Sequence, residues 1–135
     1  MNILNYLEFR NHVEECLHET MLRFSLHYNE ELVDEQTKNC YAFLENKLYR
    51  IELNTINCFP QQWIDIKYYA LENPVREISS ESILKALNIT LDEIMKSIGK
   101  LDSIDGENGY QESMRYLNIQ LLKFYSNFFD GKLQV

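Results

Sequence analysis

Glu15-Cys-Leu-His18 is the first spacing in the chain that suits chemistry. A Glu-x-x-His step sets a carboxylate and an imidazole on neighbouring turns of one helix face. Di-iron bundles use that step, but they pair it with a second one and with two further inward glutamates. The sequence holds no second Glu-x-x-His, and His27 has Phe24 three residues before it. The wider series Glu8, His12, Glu15 and Glu19 recurs at helical spacing and predicts one stripe nearly opposite the apolar positions, exposed to water. A divalent ion would meet suitable ligands there only adventitiously. No metal and no cofactor are expected.

The remaining reactive residues point the same way. Read as a calcium loop from Asp102, the segment Asp102–Gly109 puts Ile104 and Gly106 where side-chain oxygens are required, so it reads as a polar turn. Cys16, Cys40 and Cys58 are odd in number and widely spaced, the pattern of reduced thiols that behave as small buried hydrophobes. There is no phosphate-binding glycine loop, no G-x-S-x-G elbow and no H-E-x-x-H. His12, His18 and His27 fall on one predicted helix with no nucleophile beside them. An enzyme is not expected; a dispersed site around one of these histidines is the alternative it would need.

The elements that must position these residues read as helical. Tyr6, Phe9, Val13, Leu17, Met21, Phe24 and Tyr28 recur in steps of three and four, one amphipathic helix. A second helix is expected from about Asp34 to Arg50, although Tyr49-Arg-Ile-Glu-Leu-Asn also alternates as a short β segment near residues 48–53 would. Pro60 suits the first turn of a third helix carrying Trp63, Ile64, Tyr68 and Leu71, ending before Asn73-Pro74. Ser79-Ser80-Glu-Ser opens a short helix through Leu87, Thr90-Leu-Asp-Glu93 is a capping box that starts another, and Gly99 suits the end of that second helix. A last helix, Tyr110 to Phe128, should be central, with Leu121 in the core. The expected fold is all-α: one helical domain over residues 1–135, a bundle of about six helices.

Ala86-Leu-Asn-Ile-Thr-Leu-Asp-Glu93, within residues 82–95, resembles the closing two helices of Cro/repressor-type DNA-binding domains. The resemblance covers about a tenth of the chain and implies, as an alternative function, a transcriptional regulator. It carries over no DNA-contacting residue, because Gln61-Gln-Trp-Ile-Asp-Ile-Lys stands where the recognition helix would precede it.

Charge placement is the stronger signal. Twenty-one acidic residues stand against thirteen basic ones, a net charge of -8. That balance argues against direct binding of nucleic acid through its phosphates. From Met1 to Gln36 there are eight acidic residues and two basic, so a net of -6 is gathered in the first quarter of the chain. Such a field speeds encounter with a partner of opposite sign. The expected function is therefore a small acidic protein that neutralises a basic protein partner, in the manner of immunity proteins and antitoxins that inhibit nuclease toxins. Glu8, Glu15, Glu19, Glu30, Glu31, Asp34 and Glu35 are the expected contact residues. The N-terminus lacks a basic segment followed by an apolar one, and no apolar run approaches the roughly 20 residues a membrane helix needs. A cytoplasmic monomer or weak dimer without membrane contact is expected.

Overall fold

A computed structural model of the chain describes residues 6–30, 40–55, 64–99 and 109–135. It opens with helix α1, Tyr6–Phe24. Phe9, Val13, Cys16, Leu17, Thr20 and Phe24 are buried along its inner face. The helix stops four residues short of the predicted Tyr28. Ser25 takes a left-handed φ of 55°, and the Leu26 N–H closes back on the Met21 carbonyl at 2.9 Å. That pairing satisfies a carbonyl the helix end would otherwise leave open.

Five strands follow: β1 (His27–Tyr28), β2 (Cys40–Glu45), β3 (Tyr49–Thr55), β4 (Asp65–Ala70) and β5 (Arg76–Ile78). They form one antiparallel sheet in the order β1-β2-β3-β4-β5, a meander in which each strand pairs with the next. This overturns the all-α bundle of about six helices: the fold is mixed α/β. The expected second helix is replaced, from Cys40 on, by β2 and the start of β3; the short β segment near 48–53 lies within β3. The expected third helix is replaced, from Asp65 on, by β4. The physical reason is side-chain alternation. Cys40, Ala42 and Leu44 are buried while Tyr41, Phe43 and Glu45 are half-buried, and Tyr49, Ile51, Leu53 and Thr55 repeat the pattern on β3. A period of two commits those residues to one sheet face.

The β2–β3 connection turns without glycine. Asn46 Oδ1 accepts the N–H groups of Leu48 and Tyr49, both at 2.8 Å, which folds the backbone through its own side chain. The Asn46 amide donates to the Phe24 carbonyl at 3.2 Å and to the Phe129 carbonyl at 3.4 Å. One side chain thus ties the hairpin to two helix ends.

Helices α2 (Ser80–Leu87), α3 (Leu91–Ile98), α4 (Gly109–Phe124) and α5 (Ser126–Phe129) complete the described chain. Thr90 Oγ1 accepts from the Glu93 N–H as its half of the capping box requires, and Ser79 Oγ accepts from the Ser82 N–H at the start of α2, both at 3.1 Å. The predicted last helix is split, since Tyr125 leaves helical geometry between α4 and α5. His12 meets Tyr110 and Thr20 meets Asn118, so α1 and α4 run side by side in the same direction. The α5 rings pack on the buried sheet face, Phe128 on Tyr49 at 4.2 Å between ring centres. Leu121 on α4 has no exposed surface. Leu121→Ala is expected to cost about 2–5 kcal/mol, read from urea unfolding. A loss under about 0.5 kcal/mol, typical of surface positions, would contradict its place in the core. Among the described residues, no helix is long and apolar enough to cross a membrane.

Candidate partner-binding surface

Glu8, Glu14, Glu15 and Glu19 are exposed on α1. The buried side of this helix faces β2 and α4, so its opposite side is left to water. Leu7 and Leu22 lie near the two ends of the acidic row and are 62% and 69% exposed. Apolar groups this open on a charged helix face suit contact with another molecule, where they gain burial.

The cations of the N-terminal region are held elsewhere. Arg10 pairs with Glu30 and lies over the Tyr28 ring, 4.3 Å from its centre. Arg23 reaches Asp130 with two nitrogen–oxygen contacts of 3.1 and 3.3 Å, and this guanidinium holds the Asp130 carboxyl below its ordinary pKa. Among the described residues, no ion pair engages Glu14, Glu15 or Glu19. The acidic stripe therefore keeps its field rather than cancelling it internally.

Two expectations change. Glu30 does not extend the row as an open carboxylate, because Arg10 already binds it. His12 is not on the exposed stripe. It is half-buried, with Nδ1 against the Tyr110 hydroxyl, because α4 packs beside α1 and widens the buried arc of the helix. Glu8, Glu15 and Glu19 share the exposed side as expected. Glu31, Asp34 and Glu35 lie outside the described residues, as do Cys58 and the Asp102–Asn108 turn.

The same contact lies beside two buried thiols. Tyr110 is 1% exposed, and burial pushes its phenol pKa up to about 12, the neighbouring thiols of Cys16 and Cys40 adding to the shift. The Cys16 thiol is also raised, chiefly by burial, and lies 3.8 Å from the Gln111 carbonyl. Both groups hold their protons at neutral pH, the opposite of the activation a nucleophile or base needs. His18 is exposed on α1, while His27 sits on β1 beside an open groove of about 1130 Å³ along that sheet edge. The three histidines are thus dispersed. Among the described residues, no three His, Cys, Asp or Glu side chains converge on a metal-sized site.

No known family, curated protein or solved structure matches the chain. The surface must be judged on its own chemistry. The repressor-like segment does form a helical corner, α2 and α3, but Asp65–Ala70, just upstream of it, is strand rather than helix. Leu91 and Met95 on that corner are exposed, while Ile94 alone of α3 is fully buried.

Sequence reading missed the outer sheet face altogether, because Tyr41, Phe43, Arg50 and Glu52 share a face only if their segments are strands. Arg50 there pairs with Glu45 at 2.5 Å across β2 and β3. The alternation of Tyr49–Thr55 was the available signal.

Proposed function

We propose that the chain is a cytoplasmic protein-binding domain that neutralises a basic protein partner, as an immunity- or antitoxin-type inhibitor of a nucleic-acid-degrading toxin. The observation that carries this reading is the outward row of α1: exposed Glu14, Glu15 and Glu19, outside every ion pair of the described residues, between two exposed leucines. Proteins that bind nucleic acid present cationic surfaces to phosphates. An acidic helix face with apolar ends complements such a surface in charge and supplies apolar area to bury.

Charge reversal tests it. Glu15→Lys and Glu19→Lys together should leave the helical signal in circular dichroism unchanged, since both side chains are exposed. Association with the captured basic partner should slow about tenfold or more at low salt and converge with the parent chain at high salt. Unchanged association at low salt would leave the charge as an aid to solubility only.

A further inference from the structure

The helices of this fold pack on the sheet face that carries Leu44, Ile51 and Tyr68. The opposite face holds half-buried aromatic rings among carboxylates, which is not the composition of a merely solvated surface. Arg50 shows what this face does with an arginine. Its Nε contacts Glu45 of β2 at 2.5 Å, and its guanidinium lies 5.9 Å from the ring centre of Tyr69 on β4. A ring and a carboxylate from the two flanking strands thus hold one guanidinium between them.

One step along the same ladder the two ingredients recur with the arginine missing. Phe43 on β2 and Glu52 on β3 are direct cross-strand partners, so their side chains rise from the sheet about 5 Å apart. Among the described residues no cation lies over Phe43; Glu52 stands opposite Lys67 of β4 without an ion pair and accepts from the Tyr69 hydroxyl at 3.5 Å. Tyr41 stacks on Phe43 with ring centres 5.7 Å apart, which broadens the aromatic shelf. Around it, Glu45, Glu52, Asp65 and Glu77 outnumber Arg50 and Lys67, and Arg50 is already paired with Glu45.

We propose that this outer sheet face docks an arginine-bearing segment of a basic protein, with one guanidinium stacked on Phe43 and paired with Glu52. Arginine suits the pair because its planar group can stack on a ring while its edge donates to a carboxylate; a lysine ammonium is a point charge that cannot do both. A second copy of this chain is a poor occupant, since each copy carries a charge of -8. The proposal rests on the reading that the partner is basic, but it assigns a face opposite the helix layer that holds the α1 row.

The test uses the isotope-labelled full chain and two glycine/serine-spaced peptides, identical except that one carries arginines and the other lysines. The arginine peptide should shift the amide signals of β2 and β3 around Phe43 and Glu52 and bind about fivefold more tightly than the lysine peptide. Phe43→Ala and Glu52→Gln should each weaken the arginine peptide about threefold or more, with little effect on the lysine peptide. Phe43→Leu, which keeps an apolar strand residue without the ring, serves if the alanine variant unfolds. Equal affinity for the two peptides would overturn the proposal. So would signal shifts confined to α1, although these would leave the acidic-helix reading standing. Concentration-dependent dimerisation through the sheet would replace the basic partner with a second copy, and absence of binding by either peptide would remove this face as an arginine site.

Discussion

Phe128→Ala is expected to lower stability by about 3–5 kcal/mol, the range for removing a fully buried phenylalanine. The ring has no exposed surface and stands where helix and sheet layers meet. Its centre lies 4.2 Å from that of Tyr49 on β3, 4.9 Å from Phe129, and 6.0 Å from Tyr68 on β4 in an edge arrangement. Phe128 stacks on Tyr49 and meets Phe129 and Tyr68 edge to face, the positive edge of one ring against the negative face of the other, and both arrangements add to the burial term. Helix α5 has four residues and cannot hold its shape by propensity; the burial of Phe128 and Phe129 fixes it against the sheet. The check is urea unfolding followed by circular dichroism, with Phe128→Leu as a variant that keeps most of the apolar volume and should lose less. If Phe128→Ala lost under about 1 kcal/mol, α5 would not be the clamp between layers that these contacts describe.

The helices were legible because their signals are local. The α1 stripe is written in steps of three and four, and Ser79 and Thr90 announce two caps with hydroxyls that need no distant partner. The strands were hidden for specific reasons. Cys40-Tyr-Ala-Phe-Leu44 places aromatic rings on its outer face instead of polar groups, so an apolar run shows no alternation. The hairpin after it turns on Asn46 rather than on an Asn-Gly pair, which removes the usual marker between two strands. In Ile64–Ala70 the inward Ile66, Tyr68 and Ala70 do alternate, but Trp63, Ile64, Tyr68 and Leu71 also fit a helical period. The candidate surface divides the same way. Glu15 and Glu19 could be placed from spacing alone, whereas Phe43 and Glu52 become neighbours only through strand pairing, and His12 left the exposed stripe only because α4 lies beside it.

Alkaline pH should unfold this chain in a way set by its buried phenols. Burial raises the pKa of Tyr68 well above its ordinary value, the nearby Tyr125 adding to the shift; burial likewise raises Tyr125, and takes Tyr110 to about 12. A phenol whose folded pKa lies above its unfolded value keeps its proton longer in the folded state. Its contribution is complete below the unfolded pKa of about 10 and is lost as pH rises through the folded value. For Tyr110 alone that window runs from about 10 to about 12 and is worth roughly 2–3 kcal/mol. Urea midpoints should therefore hold steady from neutral pH to about 9 and then fall steeply above 10. Tyrosinate absorbance should rise in two stages, exposed phenols first and buried ones together with loss of the helical signal. Tyr110→Phe separates the effects: it removes the His12 contact, costing about 1 kcal/mol at neutral pH, and it should flatten part of the decline above pH 10. If all nine tyrosines ionised near pH 10 with the helical signal intact, the phenols of Tyr68, Tyr110 and Tyr125 would not be sealed in the core.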